Sequence, residues 1–344
     1  MLPSIPVDEM DFLPQTTYQD ILDFQFSSWY PQFKHISIKS KVIKPLNGDF
    51  KTYLLADGVQ IPLGSDDNPS DNDSDTDPDE EEDEEEERQF AFPDLDTQIR
   101  QVISEYGAVF PKLNFSSPKD ASWILPSSSP LKCTSPSEVY MLLKSSDFIS
   151  HDLTTEHVFE GCKPEENLPN YQLELILRKW YHVDPSREFR CFVRSRKLIG
   201  ISQRDLNFYS YMNDPEIQST IIATITHIWE KEISQTWKTE NYTFDLILTR
   251  DLTSAHIVDF NPFIGKTDPL LFTYEELFTI SKRGDTEPIL KTIDSAAHSS
   301  LAQQAPKNQH NMVPLEMLTL SEGRTIADFT EKLHEEIRRS VNDD

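Results

Sequence analysis

Apolar residues recur every three or four positions in three segments of the chain, which is the spacing of an amphipathic helix. These segments are residues 93–107, which end at Gly107; residues 135–144, which open with the capping box Ser135-Pro136-Ser137-Glu138; and residues 214–229, which open with Asp214-Pro215. Proline at the first helical position and glycine after the last turn support these boundaries. The pattern predicts three amphipathic helices.

Short runs of apolar, β-branched and aromatic residues lie between these helices and predict strands. They are AVFPKLNF (108–115), YQLELILRKW (171–180), EFRCFVR (188–194), YTFDLILT (242–249) and HIVDFN (256–261). Two earlier runs, at 35–46 and 51–63, also have a strand-like composition, with turns predicted at Asn47-Gly48 and Asp57-Gly58. Helices and strands are mixed along the chain, so the fold class is α+β or α/β.

Acidic residues are concentrated in one segment. The formal net charge is −27, and residues 66–87 contain fifteen Asp or Glu and no Lys or Arg. Such a segment repels itself and has no apolar side chains to bury, so residues 64–89 are predicted to be a disordered insertion. It is interpreted as a solvated loop, as a charged tether, or as a kinase target at Ser70 and Ser74.

The C-terminal part of the chain has a different composition. Residues 285–314 are polar and rich in Gln, Asn and Pro, which is typical of a linker or loose tail. A last amphipathic helix is predicted after it. Thr325 would cap that helix, and its apolar face would consist of Ile326, Phe329, Leu333 and Ile337.

Composition argues against several classes of protein. The acidic balance argues against a nucleic-acid-binding surface, which needs basic patches. Cys133, Cys162 and Cys191 form no CxxC pair, which argues against a disulfide framework or a four-cysteine zinc site. The chain opens without a secretory signal pattern and has no apolar stretch long enough to span a membrane. We therefore expect an intracellular protein of the cytoplasm or nucleus, and assign it to the cytoplasm.

Acidic residues interrupt two otherwise apolar strands. Strict alternation in HIVDFN places Ile257, Asp259 and Asn261 on one face, and Asp245 interrupts YTFDLIL. The short connection TRDLTSA predicts a hairpin that brings Asp245 close to Asp259. Two adjacent carboxylates repel each other unless a cation lies between them, and oxygen ligands suit magnesium. The two acids are therefore either metal ligands, with Asn261 as a third, or strand-end acids that cap backbone N–H groups.

Basic side chains lie in or at the ends of the apolar strands, where they can converge on phosphates. They are Lys112, Arg178, Lys179, Arg190, Arg194 and Arg204. For any single one, a solvated side chain is the commoner arrangement. The polar loop NFSSPKDASWI (114–124) is interpreted as a mobile segment that can close over phosphates. The sequence has no GxGxxG, GxxxxGK[ST], GxSxG or HExxH motif, so it supports no Rossmann, P-loop, α/β-hydrolase or zinc-protease site.

Several long blocks, in order, resemble the cell division cycle protein 123 (D123) family. They are FSSWYP (26–31), FPKLNFSSPKDASWI (110–124), LKCTSPSEVYMLLKSSDFI (131–149), LELILRKW (173–180), EFRCFV (188–193), IGISQRD (199–205) and DFNPF (259–263). The resemblance implies an α+β, ATP-grasp-like fold with ATP between a small and a larger lobe. It assigns residues 1–63 and 90–170 to the small lobe and residues 171–284 to the larger one, and leaves residues 285–344 as linker and C-terminal helix.

The resemblance also implies a nucleotide site in which each segment has its own role. A lysine of the small lobe reaches the phosphates, a flap covers them, a hinge contacts adenine through its backbone, an acid recognises the ribose or adenine, and two arginines neutralise phosphate charge. In that order the residues are Lys112; Lys119, Ala121 and Trp123 within the flap Ser116–Trp123; Leu177, Arg178, Lys179 and Trp180; Glu188; and Arg190 with Arg204. Asp245, Asp259 and Asn261 resemble the ligands of Mg²⁺ in ATP-grasp enzymes.

Members of this family help to assemble translation initiation factor 2. The resemblance therefore implies a monomeric, ATP-dependent chaperone that binds the C-terminal domain of the factor's gamma subunit and promotes its union with the alpha subunit, with no nucleic-acid or membrane partner. The alternative function is an ATP-grasp ligase or kinase that phosphorylates a carboxylate or peptide substrate. The sequence leaves open whether ATP is hydrolysed.

Overall fold

The computed structural model of the chain describes residues 13–66, 89–126, 129–165, 167, 169–284 and 286–296. The helices are α1 (Tyr18–Asp23), α2 (Phe26–Phe33), α3 (Gly48–Leu55), α4 (Pro93–Tyr106), α5 (Pro136–Lys144), α6 (Asp147–Ser150), α7 (Thr155–Val158), α8 (Pro215–Ile228) and α9 (Tyr274–Arg283). The strands are β1 (Ser40–Ile43), β2 (Val109–Lys112), β3 (Leu175–Lys179), β4 (Glu188–Arg194), β5 (Lys197–Gln203), β6 (Tyr242–Leu248), β7 (Ala255–Pro262) and β8 (Ile289–Lys291).

These elements form two compact units, which we name after their sheets. The three-stranded unit contains residues 40–158 and 171–180, and the five-stranded unit contains residues 13–39, 159–170 and 181–296. Both units combine helices with a largely antiparallel sheet, so the predicted α+β class is confirmed.

The five-stranded sheet has the strand order β7-β6-β4-β5-β8. Neighbouring strands are antiparallel except β5 and β8, which are parallel. Cys191, Phe244 and Phe260 are direct neighbours across β4, β6 and β7, and all three are buried. This row defines the apolar face of the sheet, and the opposite face carries the charged residues described below.

The N-terminal segment belongs to the five-stranded unit, so the prediction that residues 1–63 lie together in the small lobe is wrong for residues 13–39. Trp29 and Phe33 of α2 are fully buried, and their ring centroids lie 5.2 and 5.0 Å from that of Phe260. Ser37 forms a parallel bridge with Ile257. An aromatic helix face shows that a helix is buried, but it does not show which sheet the helix covers.

Two further segments differ from their predicted places. Residues 171–180 were expected in the larger lobe, but β3 is the central strand of the three-stranded sheet, between β1 and β2. A linker was expected from residue 285, but β8 pairs with β5. Beyond β8, the buried Ile293 donates its backbone N–H to Gln203 Oε1 at 2.9 Å. Long-range sheet pairing therefore extends the fold past the predicted boundary.

The three-stranded unit has an aromatic core. The rings of Phe50, Tyr53, Phe92 and Tyr140 contact one another, with centroids 5.5 to 6.2 Å apart. The predicted strand over 51–63 is wrong, because α3 forms there and buries Phe50, Tyr53 and Leu54 on one face. Asn47, expected in a turn, is the N-cap of α3: its side chain accepts the Phe50 N–H at 2.9 Å.

The three predicted amphipathic helices are confirmed as α4, α5 and α8. Gly107 ends α4 with φ of 83°, a conformation that favours glycine. Ser135 and Glu138 form the predicted capping box of α5, and the Asp214 side chain accepts the Glu216 N–H at the start of α8. Local start and stop signals were sufficient for these helices.

Several predictions lie outside the described residues. They concern the acidic run over 67–88 with Ser70 and Ser74, the tail beyond residue 296, and the helix that begins near Thr325. The described ends of the insertion meet, because the Leu63 N–H donates to the Phe90 carbonyl at 2.8 Å. Arg100 Nη2 also donates to the Gly64 carbonyl at 2.7 Å.

None of the described helices has the length and the hydropathy needed to cross a membrane.

Candidate nucleotide and metal site

Strands β6 and β7 form the predicted hairpin, and its register places Asp245 directly opposite Asp259. Asn261, two residues further along β7, lies opposite Thr243. Directly opposite residues of an antiparallel pair share a face of the sheet. The predicted proximity of Asp245 and Asp259 is therefore confirmed.

One part of the predicted alternation is wrong. The register shifts at a β-bulge between Asp245 and Leu246, where β7 has an additional residue, Val258. Ile257 consequently lies opposite Leu246, on the apolar face, rather than beside Asp259. Both Ile257 and Val258 are buried, so the bulge also removes the burial alternation that the sequence predicts.

Two arginines neutralise the Asp245 carboxylate. Arg190 lies opposite Asp245 on β4, and its Nε and Nη2 donate to Oδ1 at 2.7 Å and to Oδ2 at 2.8 Å. Arg204, which follows β5, donates from Nη1 to Oδ2 at 2.6 Å. Such charge-assisted bidentate pairs are the strong hydrogen bonds of proteins. The negative charge of Asp245 is therefore compensated by two guanidinium groups. The sequence analysis did not predict that either arginine pairs with Asp245.

The two arginines differ in environment. Arg190 is 7% exposed, and its Nη1 donates to the main-chain carbonyl of Asp268 at 2.8 Å. Burial lowers the pKa of Arg190, but the charge and hydrogen bonds of Asp245 outweigh burial and hold this pKa above its ordinary value. The Arg204 side chain is 23% exposed and pairs through Nε with Glu188 Oε1 at 2.8 Å. Glu188, Arg204, Asp245 and Arg190 therefore form one connected network.

The polar face has the donor set that a hard cation prefers. Asp259 and Asn261 are half-buried, and Asp245 is buried beside Asp259. The hydroxyl of Thr243, opposite Asn261, is buried and has no hydrogen-bond partner among the described residues. Carboxylate and amide oxygens next to such a hydroxyl fit a magnesium ion with its bound waters. Within the described part of the chain, no cluster of three or more His, Cys, Asp and Glu side chains suits a metal, and this set has two carboxylates.

In the three-stranded unit, Lys112 is fully buried at the end of β2. The buried carboxylate of Asp152, in the same unit, accepts hydrogen bonds from the backbone N–H groups of Phe115 and Ser116 at 2.8 and 2.9 Å. Burial raises the pKa of Asp152, while these hydrogen bonds and Lys112 act in the opposite direction. Asp152 thus holds the turn that follows β2, a role with no signal in the sequence.

The polar loop after β2, which the sequence predicts to be a mobile segment, forms hydrogen bonds with α6 in the structure. Residues Lys119–Ile124 form a 3-10 turn. The Asp120 carboxylate accepts hydrogen bonds from Ser146 Oγ and from the backbone N–H groups of Asp147 and Phe148 at the start of α6. Ala121 is fully buried in the core, whereas Trp123 is half-buried.

The segment predicted as a hinge is the central strand β3 and the residue after it. Leu177 and Arg178 are buried, whereas Lys179 and Trp180 are half-buried. The Trp180 backbone N–H donates to the Ala108 carbonyl at 3.0 Å, and its indole Nε1 donates to the Pro130 carbonyl at 3.2 Å. Lys132 Nζ lies 5.4 Å from the Trp180 ring centroid.

A family model described as D123 matches residues 29–321, a range that includes residues of both units. The chain belongs to the D123 family.

Relatives and a solved structure agree with this assignment. A protein of Xenopus laevis called translation initiation factor eIF2 assembly protein is 41% identical over 268 residues, which cover 75% of this chain and 78% of that protein. A protein of the same name from Botryotinia fuckeliana is 36% identical over 308 residues, covering 87% of this chain and 74% of that protein. The solved structure of Cdc123 from Schizosaccharomyces pombe, at 34% identity, covers 80% of this chain and 98% of its own with a TM-score of 0.66.

The structure distributes the predicted D123 site residues over both units. The five-stranded unit brings together Glu188, Arg190, Arg204, Asp245, Asp259 and Asn261 on one face of its sheet or at its edge. The three-stranded unit contains Lys112, Lys119, Ala121, Trp123, Leu177, Arg178, Lys179 and Trp180. Asp120 and Asp152, which anchor the loop after β2, are additional polar residues of this D123 protein that sequence patterns missed.

Proposed function

We propose that this protein is an ATP-dependent assembly factor for translation initiation factor 2. The observation that carries the proposal is membership of the D123 family, together with sequence similarity over most of the chain to proteins named for eIF2 assembly. The charged face of the five-stranded sheet supports a nucleotide-dependent mechanism. The protein would act in the cytoplasm as a monomer.

Within this proposal, Asp245, Asp259 and Asn261 hold Mg²⁺, and the bound ion offsets the negative charge of the nucleotide phosphates. Arg190 and Arg204 balance the remaining negative charge on the same face. In the three-stranded unit, the proposed phosphate-binding residues are Lys112 and the flap residues Lys119, Ala121 and Trp123. Leu177, Arg178, Lys179 and Trp180 contact the adenine, and Glu188 contacts the ribose or adenine.

Several side-chain environments bear on these roles. Ala121 and Leu177 are fully buried in the core of the three-stranded unit. Lys112 is fully buried, and its charge favours the ionised form of the Asp152 carboxyl in the same unit. In an ATP-grasp-like arrangement of these residues, the nucleotide would act as a structural ligand. It would favour the one conformation of the protein that binds the partner.

Nucleotide binding is tested by calorimetry on the full chain, with ATP titrated in Mg²⁺ and in EDTA. Wild type should bind ATP more tightly in Mg²⁺, and Asp259→Asn should weaken binding in Mg²⁺ by at least about tenfold, because the metal loses a charged ligand. Asp251→Asn, in the exposed connection of the same hairpin, is the matched control and should bind as wild type does. Absence of ATP binding by wild type would refute the nucleotide site.

Partner binding is tested by capture of the isolated C-terminal domain of the gamma subunit of translation initiation factor 2. Specific binding at micromolar concentration or tighter, strengthened by Mg-ATP, is the expected result. Failure to bind in both the presence and absence of Mg-ATP would refute the assembly role. Steady ADP release that requires a carboxylate substrate would instead indicate a ligase.

A further inference from the structure

We infer that Ser129 is a phosphorylation site for a proline-directed protein kinase that also recognises Lys132. The dipeptide Ser-Pro occurs three times in the chain, at Ser117, Ser129 and Ser135, and Thr-Pro does not occur. All three serines therefore have the proline that such a kinase requires. The structure and the residue three positions later distinguish Ser129 from the other two. This site lies beyond the proposed function and does not depend on it.

The local sequence around Ser129 suits such a kinase best. Proline has no backbone N–H, so a kinase pocket without an acceptor at this position takes proline and rejects residues whose N–H would be buried without a partner. A basic side chain three residues after the serine can pair with an anionic group of the kinase. Lys132 occupies that position after Ser129, whereas the corresponding residues after Ser117 and Ser135 are acids.

The three prolines also differ in exposure. Pro130 is exposed, whereas Pro118 and Pro136 are buried. Ser129 itself is half-buried, in the connection between the 3-10 turn Lys119–Ile124 and α5. Exposed connections are the segments that modifying enzymes can reach. A kinase that must contact the proline directly can therefore reach Pro130 without displacing other side chains.

Ser135 is unsuitable for a second reason, because its side chain is part of the capping box of α5. Its Oγ accepts the Glu138 N–H at 3.2 Å and lies 2.8 Å from Ser137 Oγ. The Glu138 carboxylate in turn accepts the Ser135 N–H at 3.2 Å. Transfer of a phosphoryl group to this hydroxyl would require the first turn of α5 to open, since the cap stabilises that turn.

The turn that contains Ser129 has few hydrogen bonds to break. The Ser129 N–H donates to the Pro126 carbonyl at 2.9 Å, and the Lys132 N–H donates to the Ser129 carbonyl at 3.2 Å. The Pro130 carbonyl accepts the indole N–H of Trp180 at 3.2 Å. Segments held by a few partly exposed hydrogen bonds open locally at low cost, and a kinase binds its substrate segment in an open, extended form.

Two further features favour this opening. Leu131 has a φ of 60°, in the left-handed region that non-glycine residues seldom adopt, and its side chain is half-buried at the edge of the core. Relief of this backbone strain offsets part of the cost of releasing Leu131. Lys132 Nζ lies 5.4 Å from the Trp180 ring centroid, a contact that contributes little when it is partly exposed. The ammonium can therefore turn towards the kinase.

The chemical step is transfer of the γ-phosphoryl group from the ATP of the kinase. Ser129 Oγ loses its proton to a base of the kinase and forms a bond to the γ-phosphorus. The bond from that phosphorus to the oxygen that bridges it to the β-phosphorus breaks, and ADP leaves. The product carries a charge of about −1.5 to −2 at neutral pH, in the connection that Trp180 contacts through Pro130.

The test uses the full chain, a purified cyclin-dependent kinase and Mg-ATP, with each phosphoserine located and quantified by mass spectrometry. Wild type should be phosphorylated at Ser129 at least about tenfold faster than at Ser117 or Ser135, and Ser129→Ala should lower total incorporation by a similar factor. Lys132→Gln should slow phosphorylation of Ser129 about tenfold, because it removes one charge-assisted contact with the kinase. Ser117→Ala is the matched control and should behave as wild type does.

Equal rates at the three serines would overturn the inference, because their different environments would then have no effect. Absence of phosphate at Ser129, or an unchanged rate in Lys132→Gln, would also overturn it. Circular dichroism of each variant before the assay establishes that the chain is folded. The assay measures phosphate incorporation only, so failure of the proposed function, seen as absence of partner binding, remains distinguishable from failure of this inference.

Discussion

At the scale of single residues, the stability of the charged face depends on how each buried charge is compensated. Asp245 is nearly inaccessible to solvent, yet it accepts hydrogen bonds from two arginines. A buried ion pair adds little net stability compared with apolar packing, but removal of one partner is strongly destabilising. The Arg190–Asp245 pair is therefore a sensitive point of the five-stranded unit.

Substitution of Asp245 by Asn should lower the free energy of unfolding of the full chain by about 3 kcal/mol, because the buried Arg190 guanidinium loses its countercharge. Urea denaturation measures the loss. Asp259→Asn changes a half-buried acid opposite Asp245 and should lower stability by roughly 1 kcal/mol or less. Equal losses in the two variants would contradict this reading of the pair.

A second buried acid makes stability depend on pH. Burial raises the pKa of the Asp96 carboxyl above its ordinary value of 3.8, although the Tyr140 hydrogen bond and the charge of Arg100 lower it. The folded chain therefore binds this proton at a higher pH than the unfolded chain does. The contribution of Asp96 to stability is greatest below pH 3.8 and decreases as pH rises through the raised pKa.

Asp96→Asn removes this titration, while the new amide oxygen can still accept the Tyr140 hydroxyl bond. The free energy of unfolding of the variant, relative to wild type, should therefore increase from about pH 4 to pH 6. Urea denaturation at several pH values measures the difference. The control is Asp94→Asn, at an exposed position of the same first turn of α4, whose stability is measured at the same pH values. A constant difference for Asp96→Asn would contradict the prediction.

At the scale of elements, close approaches between chain segments decide which side chains fit. In β5, Gly200 packs closely against Leu277 of α9 and against Phe272, which precedes that helix. An added Cβ would lie 3.1 Å from Phe272 Cζ and 3.2 Å from Leu277 Cδ2. Both neighbours belong to the apolar cluster with Phe192 and Phe263, where side chains have little room to move.

Gly200→Ala should therefore lower the free energy of unfolding by about 2 kcal/mol through overpacking. Gly48→Ala is the matched control, because an added Cβ at the start of α3 would meet no atom within 4 Å. That substitution should be neutral or stabilise the protein by roughly 0.5 kcal/mol, since alanine restricts the unfolded chain. Thermal unfolding of both variants checks the pair, and a loss for Gly48→Ala as large as that for Gly200→Ala would contradict the prediction.

At the scale of the whole molecule, the residues that flank the acidic insertion contact each other within the three-stranded unit. Leu63 bonds to Phe90 and bridges Ala91, and the Ser65 carbonyl accepts the Ser137 N–H at the start of α5. These contacts involve residues on both sides of the acidic run and none within it. The unit can therefore retain its contacts when the run is shortened.

Replacement of residues 67–88 by a six-residue Gly/Ser linker should preserve the fold and raise the free energy of unfolding by about 1 kcal/mol, because the shorter loop has less closure entropy to lose. Removal of many like charges should add to this effect at low salt. Denaturation of the full chain and the shortened chain, at low and high ionic strength, measures both contributions. A marked loss of stability would show that the run contributes contacts to the fold.

Sequence reasoning was most successful where a feature depends on neighbouring residues. Capping residues and a terminal glycine marked α4, α5 and α8, and a short connection with two apolar strands predicted the β6–β7 hairpin. It failed at α3, where a β-like composition gave way to a helix whose aromatic residues fill the core. It also failed at the bulge beside Asp245. The additional residue in β7 moves Ile257, which precedes it, to the opposite face of the sheet from the one that strict alternation predicts.

The sequence by itself determined that Asp245 and Asp259 meet and that Asn261 shares their face, because a hairpin and its alternation are local. Only the tertiary structure decided that Arg190 holds Asp245, a residue 55 positions away, and that α2 covers the apolar face of the same sheet. It also decided that β3 joins β1 and β2 in the other unit. Such contacts depend on which surfaces bury each other best across the whole chain, and no local pattern of residues encodes that competition.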